Sequence, residues 1–199
     1  HLVKRAHPKF VAVFGADHIY RMNIRQMMEY HLRKEAGVTV AALPVTLEEA
    51  PQYGVMEVDD DWRILGFEEK PSEPKSIPAE SDQALVSMGN YLFDTELLLR
   101  AVEEDTPDAQ STHDFGRDIL PRLVREGRKI YAYDFRTNRI QTAMKGEEQS
   151  YWRDVGTIEA YYEANMDLRA VNPTFNLYNR NWPIRTVSYG DPPAKFVFD

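Results

Sequence analysis

The first third of the chain alternates short apolar runs with one helical stripe. Residues 10–14 (FVAVF) and 38–43 (VTVAAL) are continuous apolar runs of strand length, a pattern typical of buried strands. Between them, apolar side chains recur at helical spacing from Ile24 to Leu32, which predicts a helix that Gly37 closes. A strand, helix, strand order with short connections favours a parallel α/β arrangement.

The middle of the chain changes to antiparallel patterns. Residues 55–58 and 63–67 flank an acidic turn and predict a β-hairpin. Residues 71–83 contain three prolines and predict a surface loop, after which residues 84–93 resume as a strand. We therefore expect an α/β, Rossmann-like domain with a mixed, mainly parallel sheet.

The second half is predicted to contain three helices. Asp94 is expected to cap the first, and the second follows residue 114, where Pro121 must start a turn or kink it. Residues 129–135 form a strand-like run, and residues 136–150 have the composition of a flexible polar connection. Thr157 is expected to cap the last helix. Its apolar side comprises Ile158, Tyr161, Tyr162 and Met166.

Composition narrows the classes of function. The 199 residues carry a formal net charge of −8, which disfavours nucleic acids and anionic membranes as partners. The absence of cysteine excludes disulfides, thiolate metal sites and cysteine nucleophiles, and it agrees with a cytoplasmic location. No apolar run approaches the length of a membrane span, and the first residues lack a signal-peptide core. The start at His1 rather than methionine suggests a fragment.

Two aspartates are candidate metal ligands. Asp17 follows a buried strand by three residues, and ligands bind at the carboxyl ends of strands in open α/β sheets. A carboxylate there is suited to Mg²⁺, which prefers hard oxygen ligands; the alternative is that it caps a turn. Asp154 precedes the last helix, where it is either an N-terminal cap or a second metal ligand.

Other candidates have a similar ambiguity. Lys70 stands at a strand end before Pro71, where it could present a positive charge to a phosphate or simply be solvated. Gly54 and Gly89 could mark close approach of a ligand to the backbone, or ordinary turns.

The remaining chemistry-bearing residues exclude several classes. The five histidines form no metal-binding pattern: His31 lies on an apolar stripe, and His18 and His113 stand beside acids in a supporting role. The nucleophile-elbow, Walker and dinucleotide-binding motifs are absent, which argues against common serine hydrolases and dinucleotide-binding enzymes.

Seven segments together resemble the bacterial ADP-glucose pyrophosphorylases, and they occur in the order expected of that family. The aspartate segment and the EKP segment are shared by many sugar-phosphate nucleotidylyltransferases, whereas DHIY, YWRDVG and WPIRT are more particular to the ADP-glucose branch. The segments are 15–20, 53–56, 67–71, 87–91, 111–116, 151–157 and 181–186.

The resemblance implies a reaction and a metal site. The reaction is ATP plus glucose 1-phosphate giving ADP-glucose and pyrophosphate, within glycogen biosynthesis, on a nucleotidyltransferase (GT-A-like) fold. Asp17 would hold Mg²⁺ and orient the triphosphate, with Asp154 completing the metal site.

The resemblance also implies a sugar-phosphate site. Lys70 would bind the phosphate of glucose 1-phosphate and act with Asp17 as a catalytic residue. Gly54, Glu69 and Ser87 would hold the sugar.

The family's domain organisation is only partly represented. Residues 1–172 would be the sugar-phosphate part of the catalytic domain, and residues 173–199 an extended linker. The glycine-rich ATP loop is expected before residue 1, and a left-handed β-helix, tied to assembly of a homotetramer, after residue 199. We therefore expect the chain to be inactive or nearly so by itself.

Two alternatives differ in function. A sibling nucleotidylyltransferase would use UTP, dTTP or GTP, because the base-reading residues are expected outside this chain. A catalytically silent regulatory subunit would share the motifs, although the presence of Asp17, Lys70 and Asp154 argues against it. A generic α/β binding domain would make the seven ordered segments a coincidence, and we discount it.

Overall fold

The computed structural model describes residues 2–78, 80–141, 147–185 and 190. The strands are β1 (Phe10–Phe14), β2 (His18–Arg21), β3 (Val38–Thr46), β4 (Gly54–Val58), β5 (Ile64–Glu69), β6 (Gln83–Asp94), β7 (Ile130–Asp134), β8 (Arg139–Gln141), β9 (Glu147–Gln149) and β10 (Tyr151–Asp154). The α-helices are α1 (Leu2–Ala6), α2 (Ile24–Arg33), α3 (Thr95–Asp105), α4 (Leu120–Arg125) and α5 (Ile158–Asp167).

The long strand β6 is the centre of a six-stranded sheet. The order is β5-β4-β6-β3-β7, and β1 also pairs with β6. Leu85, Leu92 and Phe93 of β6 are buried, because helices and loops cover both faces of the sheet at this position. A strand buried on both faces has a nearly continuous apolar sequence, which explains why it was found from the sequence.

The α/β class and the mixed sheet are confirmed. The sheet was also predicted to be mainly parallel; most of its strands do run in one direction, but most neighbouring strands are antiparallel to each other. Among the described strands of this sheet, β1, β3, β4 and β7 run one way, and β5 and β6 run the other. Only β3 and β7 are parallel neighbours within that set. The physical reason is that β6 lies between β1 and β3 and runs against both, so antiparallel pairs predominate.

The predicted hairpin and the first long helix are confirmed. β4 pairs antiparallel with β5 around the acidic turn. Helix α2 begins after Asn23, whose side-chain oxygen accepts a hydrogen bond from the Arg25 N–H at 3.2 Å. Met27 and His31 face the core, whereas the ends of the predicted stripe at Ile24 and Leu32 are exposed.

Two helix starts differ from the prediction. Asp94 occupies the N-cap position of α3, but its carboxylate accepts no capping hydrogen bond. The next helical segment opens with a π-helical turn over Phe115–Ile119, and α4 follows it. Pro121 is the second residue of α4, directly after the π-helical turn, so this irregular turn lies where the proline was predicted to kink the helix.

The predicted flexible connection over residues 136–150 is wrong for the residues that the structure describes. β8 and β9 pair antiparallel on either side of residues 142–146, which lie outside the described residues. Asn138 is buried and donates to the backbone oxygen of Asn23 and to the Tyr133 hydroxyl, both at 3.0 Å. Ile140 is fully buried. The polar composition did not reveal this ordered segment, because a hydrogen bond that satisfies the buried Asn138 is made with Asn23, which is distant in the sequence.

A separate two-stranded ribbon, β2 with β10, was not predicted. The strands pair antiparallel, with Tyr151 opposite Arg21 and Asp154 opposite His18. β2 follows β1 after three residues, whereas β10 comes from the far end of the domain. The ribbon therefore brings two distant segments to the end of β1.

The last helix is confirmed, and Thr157 caps it. The side of α5 that carries Ile158, Tyr161 and Tyr162 is exposed. Among the described residues, no helix has the length and apolar character needed to cross a bilayer.

The segment after α5 has no helix or strand over residues 168–185. It is held against β2 by Arg21, whose buried guanidinium donates to the backbone oxygens of Asn176 and Trp182. Residues 186–189 and 191–199 of the predicted linker, including Thr186 of the WPIRT segment, lie outside the described residues.

Candidate active site

Two aspartates meet at one end of the β2–β10 ribbon. Asp17 directly precedes β2, and Asp154 is the last residue of β10. The Val155 N–H donates to the backbone oxygen of Asp17 at 3.0 Å and closes the ribbon. One ligand atom each of Asp17, His18 and Asp154 lies within 4.8 Å of the others. The fold thus brings together the two residues that were predicted to bind the metal.

Neither aspartate is a helix cap. The N-cap of α5 is Thr157, whose hydroxyl accepts from the Ala160 N–H at 3.1 Å. Oδ1 of Asp154 accepts from the Gly156 N–H at 2.7 Å instead. In the described part of the chain no backbone N–H donates to the carboxylate of Asp17, which is 65% exposed. The helix-cap alternative is therefore wrong for Asp154, whose carboxylate caps the turn before α5 instead, and no capping hydrogen bond to Asp17 occurs among the described residues.

The chemistry of this group fits a hard divalent cation. A Cβ placed on Gly156 would lie 3.1 Å from Asp154 Oδ1 and 3.4 Å from Asp17 Oδ2, so the glycine leaves the space beside both carboxylates open. Neighbouring carboxylates repel each other unless a cation or a proton lies between them. Oxygen ligands of this kind suit Mg²⁺, which keeps part of its water shell and bridges to phosphates.

A second group forms where β4, β5 and β6 lie side by side. Gly54 pairs with Glu69, and the following residue Val55 pairs with Val86, next to Ser87. A Cβ on Gly54 would lie 2.8 Å from Glu69 Oε2. The glycine therefore makes room for the Glu69 carboxylate, and Gly54, Glu69 and Ser87 lie at neighbouring positions on three adjacent strands.

Asp114 joins this group and was not among the predicted site residues. A Cβ on Gly116 would lie 3.0 Å from Glu69 Oε2 and 3.4 Å from Asp114 Oδ1, so both carboxylates lie over the same glycine. Burial raises the pKa of the Glu69 carboxyl, and the charge of Asp114 raises it further, while Lys70 and Arg117 oppose the shift. Two clustered carboxylates can accept several hydrogen bonds from hydroxyl groups. The only sequence signal for Asp114 was its place in the HDFG segment.

The loop that carries Asp114 is held by its own polar groups. Asp114 Oδ1 accepts from the Arg117 N–H at 2.8 Å, and the Asp118 carboxylate accepts from two backbone N–H groups of the loop. His113, at φ +62°, lies 2.7 Å from the buried carboxylate of Asp105. His113 was predicted to support an adjacent acid, but its ring contacts Asp105 rather than its neighbour Asp114.

Lys70 follows Glu69 in an unusual backbone conformation. Its φ is +50°, and its N–H donates to the backbone oxygen of Tyr53 at 3.0 Å. The side chain is exposed, and among the described residues it forms no hydrogen bond or ion pair. Its ammonium group is therefore an unpaired positive charge beside the Glu69 carboxylate.

Tyr91 is a further site residue that the sequence reasoning missed. Its hydroxyl lies 3.5 Å from Ser87 Oγ, which also accepts from the Gly89 N–H at 3.2 Å. Its ring packs against Phe115, with centroids 5.7 Å apart. Burial raises the pKa of Tyr91 to about 12, so the hydroxyl stays neutral and able to donate.

Aromatic rings and one backbone hydrogen bond connect the two groups. The rings of Tyr53 and Trp152 contact with centroids 6.4 Å apart, and burial followed by the charge of Asp154 raises the pKa of Tyr53. The Gly15 N–H donates to the Gly89 oxygen at 3.1 Å, two residues from Ser87. The acidic pair and the polar group around Glu69 are therefore adjacent.

This fold and site define a class of protein. A model of the family described as nucleotidyl transferase matches residues 1–171, and the chain belongs to that family. It is 55% identical to the glucose-1-phosphate adenylyltransferase of Thermus thermophilus, covering 100% of this chain and 48% of that protein. It is 54% identical to glucose-1-phosphate adenylyltransferase 1 of Vibrio cholerae, covering 96% of this chain and 46% of that protein. The chain spans about half the length of these curated relatives.

Proposed function

We propose that the polypeptide containing this chain is a glucose-1-phosphate adenylyltransferase that makes ADP-glucose and pyrophosphate from ATP and glucose 1-phosphate. The observation that carries the proposal is the meeting of ligand atoms of Asp17 and Asp154 within 4.8 Å, near the clustered carboxylates of Glu69 and Asp114. The names of relatives that are 50–55% identical to this chain support the choice of substrates.

In this proposal the pocket beside β4–β6 holds glucose 1-phosphate. Glu69 and Asp114 accept hydrogen bonds from sugar hydroxyl groups, because their carboxylates lie over the open face of Gly116. Ser87 adds a hydroxyl, and Gly54 leaves room for the Glu69 side chain. Lys70 supplies the positive charge for the sugar phosphate, since its side chain is exposed and its charge already acts on the neighbouring Glu69 carboxyl.

The chemistry is a direct displacement at phosphorus. An oxygen of the sugar phosphate forms a bond to the α-phosphorus of ATP, and the bond from that phosphorus to the bridging oxygen breaks in line, so that pyrophosphate leaves with the electron pair. The chain contributes by holding the two reactants and neutralising charge rather than by covalent catalysis. Asp17 and Asp154 would hold Mg²⁺, which when bound offsets the charge of the triphosphate.

The proposal extends to the parent protein. The glycine-rich ATP loop is expected in the flanking polypeptide, so the 199-residue chain alone should turn over poorly. We place the parent enzyme in glycogen biosynthesis in the cytoplasm as a homotetramer, with neither nucleic acid nor membrane as a partner.

The test measures pyrophosphate release by the full polypeptide with glucose 1-phosphate, Mg²⁺ and ATP, UTP, GTP or dTTP in parallel. We expect preference for ATP and a loss on the order of 100-fold or more in Asp17→Asn, because a charge that stabilises the transition state is removed. Asp60→Asn, an exposed aspartate of the β4–β5 turn, is the matched control and should be unaffected.

Other outcomes would contradict the proposal in distinct ways. Preference for another nucleotide would assign the protein to a sibling branch with the same mechanism. No release with any of the four nucleotides would favour a catalytically silent subunit. Robust synthesis by the isolated 199-residue chain would overturn the expectation that the ATP loop lies outside it.

A further inference from the structure

The imidazole of His18 lies in a slot between two glycines. A Cβ on either Gly15 or Gly89 would lie 2.7 Å from His18 Cε1, closer than real Cβ atoms approach. Gly89 also has φ +70°, which disfavours any other residue there. Trp152 packs edge-on against the ring, with centroids 5.1 Å apart, and the side chain of His18 is only 12% exposed. These contacts fix the orientation of the ring.

The two ring nitrogens of His18 have different surroundings. Nε2 lies 3.4 Å from Asp17 Oδ1, and in the described part of the chain Nδ1 is buried without a hydrogen-bond partner. A neutral imidazole has one N–H group, and a buried donor without an acceptor is costly. The proton therefore belongs on Nε2, where a carboxylate oxygen faces it.

The two oxygens of Asp17 are directed to different neighbours. Oδ1 faces His18 Nε2, whereas Oδ2 lies beside the open space of Gly156, the same space that Asp154 Oδ1 borders. The exposed Asp17 side chain forms no hydrogen bond among the described residues, and the contact of Oδ1 with His18 Nε2 at 3.4 Å is its ion-pair contact there. His18 is thus the group that distinguishes the two oxygens.

We infer that His18 is a positioning residue for Asp17: its Nε2–H holds Oδ1 so that Oδ2 faces Asp154 and the metal between them. This inference rests on the metal site of the proposed function. His18 acts through Asp17 and does not itself coordinate the ion, because its Nε2 lone pair is replaced by the N–H. Removing groups that orient metal ligands commonly weakens metal binding by about 10–100-fold.

The test measures the dissociation constant of Mn²⁺, as a paramagnetic substitute for Mg²⁺, by electron paramagnetic resonance on the full polypeptide. His18→Leu keeps an apolar side chain in the slot and removes the donor, and it should weaken binding by about 10–100-fold. His18→Gln places an amide N–H near the position of Nε2 and should stay within roughly threefold of the parent. His7→Asn, a histidine outside the site, is the control.

Four further measurements make the outcome specific. The Mg²⁺ concentration for half-maximal pyrophosphate release should rise in His18→Leu in parallel with the Mn²⁺ constant. The KM for glucose 1-phosphate should change little, and thermal unfolding of each variant confirms that it is folded. The electron spin-echo spectrum of Mn²⁺ on the parent protein should show no directly coordinated ¹⁴N.

Unchanged Mn²⁺ affinity in a folded His18→Leu would overturn the positioning role and leave the metal site intact. A coordinated ¹⁴N signal in the parent would overturn it by making His18 a ligand, and this measurement does not depend on any variant folding. Equal weakening in His18→Gln and His18→Leu would also overturn it. If the parent binds no Mn²⁺, or Asp17→Asn binds it equally well, the metal site of the proposed function fails instead.

Discussion

At the scale of single residues, the site is an arrangement of like charges held close together. Asp17 faces Asp154 beside Gly156, and Glu69 faces Asp114 over Gly116. Desolvation and the charge of Asp114 disfavour the ionised form of Glu69, as its raised pKa shows. The site is therefore a place where the chain gives up stability to keep charge in position.

Glu69→Gln is expected to raise the melting temperature near pH 7 by at most about 1 °C, because it removes a carboxylate that partial desolvation and Asp114 disfavour, while solvent screens the effect at this exposed position. The folded pKa of Glu69 lies above its ordinary value of 4.5. The wild-type chain therefore gains stability relative to its unfolded state as pH falls through that raised pKa. The difference between variant and wild type should be largest at neutral pH and fade below pH 4.5.

The measurement is thermal unfolding between pH 4 and 8, with Glu68→Gln at the exposed neighbouring position as the control. A variant that is less stable than wild type at pH 7, or a difference that does not vary with pH, would contradict the electrostatic account. The KM for glucose 1-phosphate should rise in the same variant, because an anionic acceptor for sugar hydroxyl groups is lost.

At the scale of elements, the site depends on the ribbon of β2 and β10 more than on the main sheet. The ribbon brings Asp154 opposite His18 and beside Asp17, and α5 starts directly after it. The N-cap of α5 is Thr157, so the helix and the acidic pair use different side chains although they are three residues apart. A substitution that removes the Thr157 cap should therefore destabilise α5 without weakening metal binding at Asp17 and Asp154.

Thr157→Ala is expected to lower the free energy of unfolding by about 1 kcal/mol, because the Ala160 N–H loses its acceptor. Thr157→Ser keeps the hydroxyl and should retain most of the stability. Urea denaturation of the three proteins gives the energies, and the Mn²⁺ dissociation constant measured alongside should not change. Weaker Mn²⁺ binding in Thr157→Ala would show that the cap and the acidic pair are coupled.

At the scale of the whole molecule, the same ribbon also holds the segment after α5. Arg21 is 3% exposed and donates to the backbone oxygens of Asn176 at 2.5 Å and Trp182 at 2.9 Å. Its guanidinium also lies 3.3 Å from Glu148 and over the ring of Phe175. A buried guanidinium with several acceptors is a strong local restraint, because its hydrogen bonds are charge-assisted.

Arg21→Met is expected to release the segment over residues 173–185. Loss of charge-assisted hydrogen bonds worth about 1.5–3 kcal/mol should increase the population of the open segment by roughly 10–100-fold. Limited proteolysis followed by mass spectrometry measures the cleavage rate within the segment. Arg25→Met, an exposed arginine on α2, is the control. Equal cleavage rates in the parent and Arg21→Met would show that other contacts hold the segment.

The sequence by itself determined the features that depend on neighbours along the chain. The strands β1, β3 and β6, the β4–β5 hairpin, helix α2 and the cap at Thr157 follow from local periodicity and capping chemistry. The order of seven motif segments was enough to indicate the nucleotidyl transferase family that the match over residues 1–171 confirms.

Only the tertiary structure decided what depends on pairing between distant segments. The position of β6 between β1 and β3 made the neighbouring pairs antiparallel, and the pairing of β2 with β10 brought Asp154 to Asp17. Asp114 and Tyr91 became candidate site residues because they lie next to Gly116 and Ser87. Local sequence patterns indicate secondary-structure propensity and burial. They do not indicate which strands become neighbours, because strand pairing depends on the packing of the whole chain.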